Sequence, residues 1–418
     1  MKALILTIAT LTLITSCKGQ IKKEEKEALS KQPDITVKTA VGDLTLPPPF
    51  ATESVTKRNN IIDWPQGKMP VAPEGFTVSK FAEQLENPRW AYVAPNNDVF
   101  VAESAAGRIT IFRDADKEGK YETHKVYLKG LNKPLGMLIL NNYFYVANTD
   151  FVVRYPYAAA NTSNSSRSEK IMELPADGYN NHWTRNIIAS RDGSKIYVSV
   201  GSGSNVAEHG IDNEKRRARI FEINPDGTGE KVYASGLRNP VGMDWNPVTG
   251  EMWTAVNERD NLGDELVPDY ITSLKPGGFY GWPYSYFGNH LDPRMKGAGK
   301  DLAAKAIVPD VAVGSHTASL GLAFYTKNAF PALYKNGIFI GQHGSWNRST
   351  LSGYKVVFVP FKDGKPSGKA QDFLTGFIAD EANAKVYGRP VGITALNDGS
   401  LLVIDDGSNI IWRVAANK

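Results

Sequence analysis

From about residue 75 the chain reads as short apolar runs of strand length, broken by Gly, Asn-Asp and Asp-Gly turns, with almost no helical periodicity. FRDADKEG, INPDGTG, NPVTGE, FKDGKPSG and LNDGS have the chemistry of tight turns between antiparallel strands. One pattern recurs: a Pro or polar entry, an apolar strand, a turn, then a second strand ending in small or polar residues. Its copies open at Asn87-Pro88-Arg89, Lys133-Pro134-Leu135-Gly136, Arg185-Asn186-Ile187, Arg238-Asn239-Pro240, Ala318-Ser319-Leu320-Gly321 and Arg389-Pro390-Val391-Gly392. They lead into DVFVAES, YFYVANT, KIYVSVG, EMWTAVN, GIFIGQHG and SLLVIDDG, and most are followed by a further strand such as RITIFRD or NIIWRVAA. A strand unit repeated in this way predicts an all-β, six-bladed β-propeller, in which sheets bury their faces against one another. An irregular pair of β-sandwiches is the alternative.

The start of the chain has a different texture. Met1-Lys2 precedes ALILTIATLTLIT, too short for a stable membrane span but suited to a signal peptide. Ile14-Thr15-Ser16-Cys17 resembles a bacterial lipobox, which makes Cys17 the expected lipidation point and places the body in the cell envelope. The chain thus divides into a lipoprotein signal peptide at 1–16, a flexible tether at 17–43, an N-terminal extension packing on the propeller at 44–75, and the propeller itself at 76–418. The tether expectation rests on KGQIKKEEKEALSKQ, which is charged and poor in aromatics.

Composition narrows the chemistry. Cys17 is the single Cys, which excludes a disulfide framework, a thiolate metal site and a CxxCH haem attachment. A net charge of +4, from 48 basic against 44 acidic residues, supplies no basic stripe for nucleic acid. The repeat nevertheless gathers cations. Residues at equivalent repeat positions share one face of the central channel, and there they read Lys133, Arg185, Arg238 beside Asn239, and Arg389. Such a set calls for an anionic ligand or buried carboxylates; solvated strand ends are the plainer reading for any one of them. Three further strings converge on that face: Asn180-Asn181-His182-Trp183-Thr184-Arg185, Asn257 to Glu265, and Gly341-Gln342-His343-Gly344-Ser345-Trp346-Asn347-Arg348. His182 is the candidate general base, since imidazole titrates near neutrality; a packing residue beside Trp183 is the alternative. Asp260, Asp264 and Glu265 crowd one loop, the best candidate for Ca²⁺, which prefers oxygen ligands; an acidic solvated loop is the alternative. Trp346 and Trp282 are the aromatics placed to stack on a ligand.

NERDNLGDELVPDY and HGSWNR, with GLRNPVGMDW, GGFYGWPY and GRPVGI, closely resemble the pyrroloquinoline quinone (PQQ)-dependent sugar dehydrogenases of the glucose/sorbosone dehydrogenase family, from LTLPPPFATESV to the C-terminus. The resemblance implies PQQ over the central channel with Ca²⁺ beside it. It implies Arg238 at the quinone C5 carbonyl, Asn239 hydrogen-bonded to the cofactor, and Arg348 and Arg389 on its carboxylates. It implies Ca²⁺ held largely by main-chain carbonyls mapping onto Arg259 and Asp260. It supports His182 as the base that takes a sugar hydroxyl proton as hydride leaves. Soluble glucose dehydrogenases of the family orient this His with a downstream Asp, whereas Ser202 stands near that place here. The ring is therefore oriented by Asn181, Ser202 or water, and glucose itself is a less secure substrate. The expected function is oxidation of an aldose or a sorbosone-type aldehyde, with electrons passed to an external cytochrome or quinone and membrane contact only through the lipid anchor. A Ca²⁺-dependent propeller lactonase, or a non-catalytic propeller binding carbohydrate or protein, are the alternatives.

Overall fold

The computed structural model describes residues 21–417, so the signal-peptide and Cys17 expectations lie outside the described residues. The fold is nearly all β. Among the described residues, six sheets of four or five strands follow the repeat, their first strands being Pro88–Val93, Met137–Leu140, Arg185–Ala189, Pro240–Trp245, Ser319–Phe324 and Pro390–Ala395. Within each sheet the strands run as antiparallel neighbours in chain order; in the third, Gly278–Phe279 adds a fifth strand in parallel. The sixth sheet is closed by the N-terminal strand Phe76–Ala82, paired antiparallel with Ile410–Ala416.

The repeated glycine has a packing cause. A Cβ on Gly136 would lie 2.5 Å from the Ile187 nitrogen, one on Gly242 2.4 Å from that of Leu322, and one on Gly392 2.8 Å from the Arg89 oxygen. A Cβ on Gly321 would meet the Val391 oxygen at 2.1 Å. The first strands of successive sheets therefore touch backbone to backbone, and the sixth touches the first. Only a residue without a side chain permits that approach. Apolar residues from the facing sheets fill the layers between them, as with Phe100, Phe144 and Ile404 in the largest cluster.

The expectation of a flexible tether fails from residue 21 onward. Lys23–Leu29 is helical, and Ile35–Thr39 pairs with Gly42–Leu46 in a hairpin. The hairpin alternates, so Val37 and Leu46 are buried against Leu262, Tyr280 and Phe287 while its polar residues face out. The composition hid this because the helix has no buried face and two apolar anchors suffice to seat the hairpin. Residues 50–62 then run across the loops on one side. Phe50 donates to the Leu262 carbonyl at 2.7 Å, Lys57 to Trp346 at 2.8 Å and Asn60 to Ala384 at 2.8 Å. No helix among the described residues is long and apolar enough to cross a membrane.

Candidate functional site

A cavity of about 180 Å³ opens where the first strands begin, lined among others by Arg89, His182, Arg238, Asn239, Asp260, His316, His343, Trp346 and Arg389. The strand starts place Arg89, Arg238, Asn239 and Arg389, and the strings before or after the strands supply the rest.

His182 lies against a wall with no room to spare. A Cβ on Gly201 would sit 2.7 Å from the His182 Cβ and 2.4 Å from Asn239 Oδ1. Its Nδ1 is 2.9 Å from the Ser202 carbonyl oxygen and 3.0 Å from Ser202 Oγ. The hydroxyl donates its own hydrogen to the Ser204 carbonyl at 2.6 Å, and a carbonyl only accepts. Nδ1 therefore carries the proton and Nε2 is left as a bare acceptor. Ser202 is the residue that orients the ring. Burial, reinforced by the Arg238 charge, pushes the imidazole pKa down to about 3, so the ring is neutral across the physiological range.

Arg238 forms the next wall, almost fully buried. Its Nε donates to the Asn205 carbonyl, Nη1 to Asn257 and the Glu258 carbonyl, and Nη2 to Asn205 Oδ1 and Asp260 Oδ2, at 2.6–3.3 Å. With all five donors engaged, its contribution to the cavity is positive charge, not a free hydrogen bond. Asn239 Oδ1 beside it is buried without a partner.

Across the cavity stands a second constellation. Asp406 accepts from Arg89 Nη1 at 2.5 Å and from His343 Nε2 at 2.6 Å. Burial raises the Asp406 carboxyl, but His343 and Arg89 outweigh it and hold the group below the usual carboxylate range. Burial, then Arg389, pushes His343 down to about 4. Arg389 donates Nε and Nη2 to the carbonyls of His343 and Gly344, and the Arg89 Nε is buried without a partner. Trp183 stacks under this side, with the Arg89 guanidinium 5.2 Å and the Lys133 ammonium 5.6 Å from its ring centroid.

Several expected residues lie elsewhere. Arg185 does not line the cavity: it donates to the carbonyls of His182, Thr184 and Pro175 and braces the His182 loop from behind. Lys133 reaches the cavity only through Trp183. Arg348 is turned onto the acidic loop, donating to the Asp264 carbonyl at 2.8 Å and pairing with Glu265. Trp282 is buried and donates to the Asn205 carbonyl. Trp346 does line the cavity and is 42 % exposed, open to a stacking ligand. On the metal side, Arg259 is wholly buried in ion pairs with Glu258 and Asp292, and Asp264 accepts from Ser349. The one set of three clustered metal-type side chains among the described residues is Asp114, Asp116 and Glu122, on a turn remote in sequence from this loop.

Arg89, His316 and Asp406 were not singled out from the sequence. Signals existed: Arg89 follows the Pro of the first repeat copy, Asp406 directly follows the last copy's second strand, and His316 precedes the fifth copy as His182 precedes the third.

A ring of small sheets with a buried, guanidinium-lined cavity at the strand starts defines a propeller-like protein. Residues 70–278 and 288–417 match the family model described as TrAA12-like, and the chain belongs to that family. It is 30% identical over 362 residues to an uncharacterised protein of Borreliella burgdorferi, covering 83% of this chain and 90% of that one. It is 25% identical over 414 residues to a pyrroloquinoline quinone-dependent pyranose dehydrogenase of Coprinopsis cinerea; the match covers 84% of this chain but 55% of the enzyme, about half its length. Among solved structures, the holo PQQ domain of the Coprinopsis cinerea pyranose dehydrogenase superposes with a TM-score of 0.69 at 21% identity, over 84% of this chain and 98% of that one. A calcium structure of the Trichoderma reesei family AA12 enzyme gives 0.71 at 19% identity, over 83% and 97%. These structural likenesses support the fold.

Proposed function

We propose that the chain is a PQQ-dependent sugar dehydrogenase built on a six-bladed propeller. One observation carries the reading: a neutral, bare-Nε2 histidine and three guanidinium groups face one small cavity. The donor set fits a flat polycarboxylate. Arg89 and Arg389 have capacity for carboxylates, the orphaned Arg89 Nε among it, and Arg238 adds charge at short range. Trp346, half open at the rim, offers an aromatic face to a ring. Bound there, PQQ would supply an ortho-quinone that accepts hydride.

The chain's residues would manage the proton. Nε2 of His182 takes the hydroxyl hydrogen of a sugar held at its reacting carbon, while the Nδ1–H bond to the Ser202 carbonyl fixes the ring plane. Burial and then the Arg238 charge depress this base; an anionic ligand would offset that charge and raise the basicity where it is used. The charge that forms on His182 then lies near Asp260, which stabilises it.

The substrate is an aldose or aldose-like sugar, a pyranose or a sorbosone-type aldehyde, and the electrons leave for an external cytochrome or quinone. Lipidation at Cys17 would hold the enzyme in a bacterial envelope. The test is a dye-coupled assay of the PQQ-loaded chain across pyranoses and sugar aldehydes. Sugar-dependent dye reduction is expected, lost in His182→Ala while PQQ still binds. Bound PQQ with no reduction by any sugar would refute the reading.

A further inference from the structure

The histidines that line the cavity differ in what their ring nitrogens do. His316 has both in use, Nε2 at 2.9 Å from the Gly263 carbonyl oxygen and Nδ1 at 3.3 Å from Asp260 Oδ1. His182 commits Nδ1 to Ser202. His343 commits Nε2 to Asp406 at 2.6 Å, and its Nδ1 has no hydrogen-bond partner among the described residues. Asp406 is held in its ionised form and only accepts, so Nε2 carries the ring hydrogen and Nδ1 presents a bare lone pair. The side chain is 12 % exposed and Nδ1 is not sealed in the packing, so it opens onto the cavity that the residue lines.

That nitrogen stands where the guanidinium groups gather. Arg389, just before the sixth sheet, donates Nε to the His343 carbonyl at 2.9 Å and Nη2 to that of Gly344 at 3.2 Å, which fixes it beside the imidazole. Arg89, in the first sheet, shares Asp406 with His343 and keeps its Nε buried without a partner. A ligand carboxylate drawn in by Arg89 and Arg389 thus meets a lone pair beside them, and the two repel. One proton on Nδ1 turns the same contact into a charge-assisted hydrogen bond.

Without a ligand the fold resists that proton. Burial first, then Arg389, pushes His343 down to about 4; Asp406 pulls the other way and Arg89 adds to the depression. These are the charged groups that face the ring. Tyr354, behind Arg389, donates its hydroxyl hydrogen to the Ser345 carbonyl. Lys133 lies beyond Trp183, and Arg238, Asp260 and His316 form a separate network, with His182 beside it. An anion at Nδ1 offsets the two guanidinium charges and reverses the balance.

We propose that His343 is a further carboxylate-binding group of the cavity: its Nδ1 takes a proton from solvent as the cofactor's carboxylate arrives, and the imidazolium then bridges that carboxylate and Asp406. Ligand binding therefore brings a proton with it. The inference rests on the PQQ reading and extends it to how the acid groups are held.

The test is calorimetric titration of PQQ into the full chain near neutral pH, in HEPES and in Tris, whose different heats of ionisation give the proton count. The wild type should take up about one proton per ligand, and the uptake should survive in His182→Gln, which removes the other bare imidazole. His343→Gln, whose amide can still donate to Asp406, should lose it. Its affinity should fall at least about tenfold at about pH 6, and the gap should close toward about pH 9, where the wild-type Nδ1 no longer gains a proton. Thermal melts report folding; should His343→Gln not fold, the wild-type and His182→Gln counts decide. Wild-type uptake below about 0.3 proton, its loss in folded His182→Gln, or its persistence in folded His343→Gln would each overturn the proposal. If PQQ does not bind, the dehydrogenase reading fails, and the same titrations with trimesate, a benzene tricarboxylate, decide the role of His343. Trimesate binding without a His343-dependent proton, or no binding, would overturn it.

Discussion

Replacing His182 by Gln keeps a polar side chain in the wall of the cavity but removes a ring that the folded protein holds neutral. In the unfolded chain this imidazole takes a proton at its ordinary value of about 6.5, whereas in the fold it refuses one until about 3. The unfolded state binds more protons throughout that window, so stability falls as pH drops from 6.5 toward 3. The full difference corresponds to about 5 kcal/mol, at about 1.4 kcal/mol for each pH step. Between about pH 7.5 and about pH 5 the share lost is about 2 kcal/mol. His343 acts with the same sign over a narrower window, and His316, held above its ordinary value by Asp260 and Gly263 against the pull of burial, acts with the opposite one. Subtracting variant from wild type isolates His182. Urea unfolding at the two pH values should show His182→Gln gaining about 2 kcal/mol relative to wild type on acidification. A stability difference that does not change with pH would refute the closed, Arg238-facing environment on which the assignment of the base rests.

Gly201→Ala places a methyl 2.4 Å from Asn239 Oδ1 and 2.7 Å from the His182 Cβ; overpacking of this kind costs about 1–3 kcal/mol, and both a lowered melting temperature and weaker ligand binding are expected. Asp406→Ala leaves Arg89 and His343 without their shared carboxylate, a loss of about 3–5 kcal/mol by urea unfolding, and a loss below about 1 kcal/mol would show the pair to be solvated. Trp346→Ala, at an exposed rim position, should change stability by less than about 0.5 kcal/mol while weakening ligand affinity in a fluorescence titration. Ser202→Ala keeps the Nδ1–H bond to the residue's own carbonyl, so the dye-coupled rate should remain within a few-fold of wild type.

The strand pattern was legible because the apolar runs and their turns are local signals; why four repeat copies carry a glycine emerged only from the fold, where neighbouring strands approach closely. The same repeat put Arg238, Asn239 and Arg389 on one face, and there they lie. It misplaced Arg185, and the family resemblance misplaced Arg348, because a backbone position does not fix which way a long side chain turns. Arg185 finds carbonyls behind the His182 loop and Arg348 finds Glu265, and each satisfies its charge without reaching the cavity. Arg294 and Asp292 were silent in the sequence. They come from the irregular stretch after the fourth sheet's third strand, and their pairing with Asp260 and Arg259 is tertiary. The hairpin at residues 35–46 was missed for a related reason: its anchors, Val37 and Leu46, sit among polar neighbours that composition averages over.

The proposal that the cavity is a pocket for a polycarboxylate cofactor is tested most directly by a binding titration. PQQ added to the wild-type chain should quench tryptophan fluorescence saturably at one molecule per chain. The Arg89→Gln, Arg389→Gln double variant, checked for folding by thermal melt, should weaken binding at least a hundredfold, about 2.7 kcal/mol for two charge-assisted contacts. No saturable quenching by the wild type, or equal affinity in a folded double variant, would contradict it.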